Sequence, residues 1–114
     1  MEIKLTIIIP VFNEETTLLR LLEKVNKIKS NTLEIIVVND GSNDNSEKII
    51  SQNKHLFDQF LNNSINLGKG HAIKEGLSKA NGKYVIFQDA DLEYEPEDIK
   101  KFIDLINKFN PDLV

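Results

Sequence analysis

Three consecutive isoleucines stand inside an apolar run from Leu5 to Ile9. A strand with no polar face must be covered on both sides, and parallel sheets flanked by helices are where such strands occur. Pro10 is expected to end its ladder, having no N–H to give. From Glu14 the apolar positions Leu18, Leu21, Leu22, Val25 and Ile28 recur at three and four residues, which predicts a helix with one buried face. The pattern then repeats. Glu34 to Val38 reads as a second buried strand, and Asp44 to Gln52 as a short helix with Ser42 or Asn43 as its N-cap. A third strand is expected near Gln59 to Leu61, its signal diluted by Gln59, Asn62 and Asn63.

After Gly68 and Gly70, one helical face carries Ala72, Ile73, Gly76, Leu77 and Ala80, and its small members allow close packing on a sheet. Asn81-Gly82 stops that helix. Lys83 to Gln88 contains Tyr84-Val85-Ile86-Phe87, another buried strand. Pro96 opens a last helix with Ile99, Phe102, Ile103 and Ile106 inward, Pro111 ends it, and Asp112-Leu113-Val114 resembles the start of a strand. Strands alternating with helices at this rhythm predict an α/β fold: an open, mostly parallel sheet with helices on both faces, ending after the fourth strand–helix unit. Ligands of such sheets bind beyond the carboxyl ends of the strands.

Composition narrows the classes. The 114 residues make one domain at most, and 14 basic against 18 acidic residues give a net charge of −4, which argues against nucleic acid. There is no cysteine, which excludes disulfides, thiolate metal sites and cysteine nucleophiles and fits a cytoplasmic protein. The longest apolar run, Leu5 to Phe12, is far shorter than the ~20 residues of a membrane helix, and no basic leader precedes it, so no transmembrane segment is expected.

The polar segments that follow the strands carry the chemistry. In Gln88-Asp89-Ala90-Asp91-Leu92-Glu93, alternate residues of an extended chain project to one side, so Asp89 and Asp91 can face one ion. Hard carboxylate oxygens suit Mg²⁺ or Mn²⁺, with substrate phosphates completing the shell, and Ala90 lets a ligand approach the backbone. In Val38-Asn39-Asp40-Gly41-Ser42 the Asp40 carboxylate can accept hydrogen bonds from a nucleobase edge. Asn66-Leu67-Gly68-Lys69-Gly70-His71 leads into a helix whose dipole attracts phosphate, and Lys69 adds a full charge. Pro10-Val11-Phe12-Asn13-Glu14 offers Phe12 as an apolar wall and Glu14 as an acceptor. Each segment alone is equally ordinary turn and helix-start chemistry, and position after a strand is what favours the functional reading. The glycines do not form a dinucleotide fingerprint, since Ile73 stands where a third glycine is required.

Taken in order, Ile7 to Glu15, Val37 to Ser42, Asn66 to Gly70 and Asp89-Ala90-Asp91 resemble the family 2 glycosyltransferases of the GT-A fold, and within them the polyprenyl-phosphate (dolichyl-phosphate) mannosyl- or glucosyltransferase branch. That resemblance covers nearly the whole chain. It implies a UDP- or GDP-linked sugar donor, with Pro10, Phe12, Glu14, Val38 and Asp40 around the nucleoside. Lys69, Asp89 and Ala90 would lie at the diphosphate or sugar. Asp89, Asp91 and Glu93 would hold the divalent ion, and Asp91 would be the catalytic residue. The acceptor implied is a polyprenyl phosphate or a glycan, with the full enzyme at the cytoplasmic membrane surface. Residues 1–114 would then be the nucleotide-sugar-binding part, without the acceptor-binding part.

Asn39 departs from the family pattern, in which an aspartate often precedes the Asp40 equivalent. A donor-binding module without turnover is the alternative. A phosphoryl-transfer enzyme with an aspartate nucleophile would carry its D-x-D after the first strand, and here the motif follows the fourth. A receiver-like signalling domain needs aspartates where this chain has Pro10-Val11-Phe12.

Overall fold

A computed structural model describes residues 2–90 together with Asp98, Lys100, Lys101 and Asp104. Those last four are helical, as expected after Pro96. The inward positions Ile99, Phe102, Ile103 and Ile106 of that helix, both its prolines and the expected strand at Asp112 to Val114 lie outside the described residues, as do Asp91 and Glu93.

Among the described residues four strands, β1 (Leu5–Val11), β2 (Leu33–Asp40), β3 (Gln59–Asn63) and β4 (Tyr84–Phe87), form a sheet in the order β3-β2-β1-β4. Every pairing is parallel, with Leu5 opposite both Leu33 and Tyr84, and Ile36 opposite Gln59. The helices are α1 (Leu18–Lys27), α2 (Ser46–Gln52) and α3 (Lys69–Lys79).

The pleat of β1 and β2 divides the core into two layers. Ile7, Ile9, Ile35 and Val37 pack with Leu18, Leu21, Leu22 and Val25 of α1 and Ile50 of α2. Ile8, Ile36 and Val38 pack on the opposite face with Ala72 of α3. There the small-residue face acts as expected, because a Cβ at Gly76 would lie 2.7 Å from Ile8 Cγ2. Leu77 does not share that burial. It is 44% exposed, since contact with the sheet narrows to the stripe through Ala72 and Gly76.

Three other expectations need correction. Pro10 lies inside β1, paired with Val38. The last rung toward β4 is Gln88 N–H to the Ile8 carbonyl, at 3.0 Å. Pro10 faces that same side two residues later, past the end of β4, so its missing N–H breaks no ladder bond. Second, β4 is not buried. Tyr84 is 38% and Phe87 51% exposed, because β4 has a strand partner on one flank only among the described residues. Third, neither Ser42 nor Asn43 caps α2. Its N-cap is Asn45, and Asp44 Oδ1 takes the Ser46 N–H at 2.9 Å.

The amino ends of the strands are sealed by one carboxylate. Glu34 of β2, 6% exposed, accepts from Thr6 Oγ1 at 2.8 Å, Gln59 Nε2 at 3.1 Å, the Asn81 N–H at 2.9 Å and Asn81 Nδ2 at 2.8 Å. Burial pushes its carboxyl upward. The bonds from Asn81, Thr6 and Gln59 outweigh that and hold it below its ordinary value. Gly82 allows the close approach, since a Cβ there would stand 2.6 Å from the Thr6 nitrogen.

Candidate functional site

At the carboxyl ends of the strands a cleft of about 510 Å³ opens. Pro10, Val11, Phe12 and Glu14 make one wall, and Asp40 lies at the end of β2. Asn66, Gly68 and Lys69 at the start of α3 form the second wall, and Asp89 and Ala90 close the side beyond β4. Four segments far apart in sequence meet here because all strands run the same way, which brings every strand exit to one edge of the sheet.

The first wall is held by a clasp between two loops. Asn13 adopts a left-handed φ of 53°, which asparagine tolerates better than most residues. Its N–H donates to Ser42 Oγ at 3.0 Å, and its Oδ1 accepts from the Asn43 N–H at 2.7 Å. The Glu14 N–H donates to the buried Ser46 Oγ at 3.0 Å, and the Glu15 N–H to Asp44 Oδ2 at 3.2 Å. Asp44 lies below its ordinary carboxylate value, because the bonds from Ser46 and Glu15 outweigh its desolvation. Phe12, 43% exposed, and Glu14 are thereby presented on a braced loop.

Asp40 is engaged more fully than the sequence suggests. It is 3% exposed; Oδ1 accepts the Leu67 N–H at 2.9 Å, and Oδ2 the Gly68 N–H at 3.0 Å and Asn66 Nδ2 at 3.2 Å. The carboxylate thus folds the loop that starts α3. Gly41 permits it, with φ +68° and a would-be Cβ only 2.2 Å from the Asn66 nitrogen and the Ile65 carbonyl carbon. Each carboxylate oxygen offers two acceptor directions, so Oδ1, with the Leu67 N–H on one, retains acceptor capacity in a residue that lines the cleft.

The positive end of the α3 dipole meets the cleft at Gly68 and Lys69, an arrangement that favours an anion. The Lys69 ammonium forms an ion pair with Asp89. The Asp89 carboxylate supplies hard oxygen donors of the type a divalent cation takes, and such an ion would share or displace its Lys69 partner. Among the described residues no three acidic or histidine side chains gather to hold such an ion, and Asp91 and Glu93 lie outside them.

Val38 is fully buried against the α3 layer and does not line the cleft. Asn39 Nδ2 donates to Asn62 Oδ1 at 2.8 Å, while Asn62 Nδ2 serves Glu47 Oε1 at 2.9 Å. An aspartate at position 39 would set acceptor against acceptor, which explains asparagine here; its Oδ1 is buried without a partner. His71 Nδ1 lies 2.9 Å from Glu75 Oε1, on α3 and not in the cleft lining. Sequence reading assigned no role to Val11, Asn66 or Gly68, all of which line the cleft. Asn66 and Gly68 had a signal, since they lie within the segment Asn66 to His71 already read as attracting phosphate.

Comparison with known proteins agrees with this fold. The sequence profile described as glycosyl transferase family 2 matches residues 6–114. An undecaprenyl-phosphate 4-deoxy-4-formamido-L-arabinose transferase of Proteus mirabilis is 39% identical over 108 residues, covering 88% of this chain and 32% of that protein. An uncharacterized protein of Methanocaldococcus jannaschii is 37% identical over 114 residues, covering 94% of this chain and 48% of its own length. The chain therefore spans between a third and a half of these relatives. Among solved structures, S. aureus TarS residues 1–349 in complex with UDP superposes with a TM-score of 0.80 at 26% identity, over 93% of this chain and 32% of that one. A Pyrobaculum calidifontis mannosyltransferase in complex with GDP-Man and Mn²⁺ shares the fold, with a TM-score of 0.70 at 24% identity over 80% of this chain and 28% of that one.

Proposed function

The chain belongs to glycosyl transferase family 2, and from that premise we propose that its cleft binds the nucleoside diphosphate of a UDP- or GDP-linked sugar for transfer to an acceptor. The observation that carries this reading is the meeting of Phe12 and Glu14, Asp40, the start of α3 and Asp89 in one cleft. Pro10 and Phe12 supply an apolar face for the base, and Glu14 with the spare direction on Asp40 Oδ1 supplies acceptors for its N–H edge. The α3 dipole and Lys69 face the diphosphate. Asp89, with Asp91 and Glu93, would hold Mg²⁺ or Mn²⁺.

In the proposed reaction an acceptor oxygen attacks the anomeric carbon, the bond from that carbon to the diphosphate oxygen breaks, and the nucleoside diphosphate leaves with its electrons, inverting the centre. A divalent ion bound by Asp89 and Asp91 would stabilise the charge gathering on that leaving group. The residues of this chain hold and orient the donor, which accounts for their placement. The name of the Proteus mirabilis relative supports a polyprenyl phosphate as acceptor class. Its oxygen is already anionic and needs little help from a base. Such an acceptor would place the whole enzyme at the cytoplasmic membrane surface; no described helix is long and apolar enough to cross a membrane. Because the chain spans 32% to 48% of the relatives, a second reading is donor binding without transfer, with residues 1–114 as the donor-binding part.

Calorimetric titration with UDP, GDP and their sugar conjugates, with and without Mn²⁺, tests the proposal. Saturable, ion-dependent binding that prefers one base is expected. A folded chain that binds none of them contradicts it, and formation of a glycosylated acceptor phosphate with release of the nucleoside diphosphate separates transfer from binding alone.

A further inference from the structure

Thr17 occupies the N-cap of α1 yet makes no capping bond. A threonine there ordinarily turns its oxygen back to the free amides of its own helix. Here the hydroxyl donates instead to the Ala90 carbonyl, at 2.6 Å, across 73 positions of sequence. That carbonyl belongs to the turn that carries Asp89. The β4 ladder ends with Gln88 N–H on the Ile8 carbonyl, and past it the chain has left the sheet. Two successive carbonyls are then taken by side chains: Asp89 by Gln88 Nε2 at 3.2 Å, and Ala90 by Thr17. Ala90 is itself 3% exposed, in the layer that α1 covers, so its carbonyl has little water to turn to.

The other end of this contact is equally fixed. The Glu14 carbonyl accepts the Thr17 N–H at 3.2 Å and the Leu18 N–H at 2.9 Å, which makes Thr17 one rigid piece with the loop bearing Phe12 and Glu14. One hydroxyl therefore joins the wall at the end of β1 to the acidic turn after β4. We propose that Thr17 is a positioning residue: by holding the Ala90 carbonyl it sets where the Asp89 carboxylate stands relative to that wall, and so couples the nucleoside end of the cleft to its cation end. This inference rests on the donor-site reading above. Its consequence is specific, because oxygen ligands of Mg²⁺ and Mn²⁺ must lie within a few tenths of an ångström of their place.

The test compares Thr17→Val, which keeps the shape and loses the donor, with Thr17→Ser, which keeps the donor. Affinity for the better of UDP and GDP is measured with and without Mn²⁺, and folding by chemical denaturation. The expected result is that Thr17→Val stays folded and loses about tenfold of the Mn²⁺-dependent gain in affinity, as the loss of one partly buried hydrogen bond at the turn would give. Its metal-free affinity should change by less than about twofold, and Thr17→Ser should restore the gain. An undiminished gain in folded Thr17→Val overturns the proposal. So does an equal loss with and without metal, or a Thr17→Ser protein as impaired as Thr17→Val, since each makes Thr17 merely structural. A wild-type chain that binds nucleotide with no Mn²⁺ dependence fails differently, for it overturns the cation assignment itself.

Discussion

Strand β2 carries a buried carboxylate near each end, and the two are used in opposite ways. Glu34, at the amino end, takes four donors from β1, β3 and the turn before β4, and lies outside the cleft lining. Asp40, at the carboxyl end, takes three donors from one loop and stands in the lining of a cleft shared with Lys69 and Asp89. Glu34 ties strands together; Asp40 shapes the entrance of α3. The contrast teaches that burial and hydrogen bonding alone do not identify a functional carboxylate. What separates the two is the space left beside them, and parallel strands leave that space at their carboxyl ends.

The largest effect expected from breaking this arrangement is at the two glycines beside these carboxylates. Gly41→Ala combines a left-handed φ with a Cβ 2.2 Å from backbone atoms, and Gly82→Ala brings a Cβ to 2.6 Å from the Thr6 nitrogen. Each should cost at least about 3 kcal/mol by denaturant unfolding, Gly41→Ala the more. Next, Glu34→Gln turns an amide donor toward a cluster of donors and should cost about 2 to 3 kcal/mol, with the nucleotide affinity of the folded fraction unchanged.

The same carboxylate gives the pH dependence its sign. Its folded value lies below the ordinary 4.5, so its contribution is complete above about pH 4.5 and is lost as pH falls through the folded value. Unfolding midpoints measured from about pH 6 down to about pH 3 should fall, and Glu34→Gln should flatten part of that fall, leaving the share of Asp44, which is lowered in the same sense. Asp40→Asn should reverse the pattern, costing about 1 to 2 kcal/mol of stability but at least tenfold in nucleotide affinity. The smallest effect on folding is expected for Phe12→Ala, whose ring is half in solvent. Its stability should change by less than about 0.5 kcal/mol while nucleotide affinity falls by roughly tenfold, from lost stacking on the base.

The strands at Leu5, Leu33 and Tyr84 and the helix from Leu18 were legible because their apolar residues repeat with the period of the structure they form. The fold class followed from their alternation, and from it the edge at which Phe12, Asp40, Lys69 and Asp89 meet. What could not be read was long-range and polar. Thr6, Glu34, Gln59 and Asn81 share no local pattern, and only strand register makes them one network. Pro10 misled because a missing N–H matters only on a side that has a partner. Val38 misled because it neighbours Asp40 in sequence while its side chain enters the α3 layer. The bond from Thr17 to Ala90 joins positions 73 apart and has no local sequence pattern.

In the proposed function one end of this sheet is a cation-dependent nucleotide site and the other is structure alone. Amide NMR of the chain with saturating UDP or GDP and substoichiometric Mn²⁺ tests it in one experiment. Signals from Phe12 to Asn13, Asp40 to Gly41, Leu67 to Gly70 and Gln88 to Ala90 should broaden, while those of Glu34, Gln59 and Asn81 stay sharp. Uniform broadening, or broadening centred on the Glu34 end, would contradict the account.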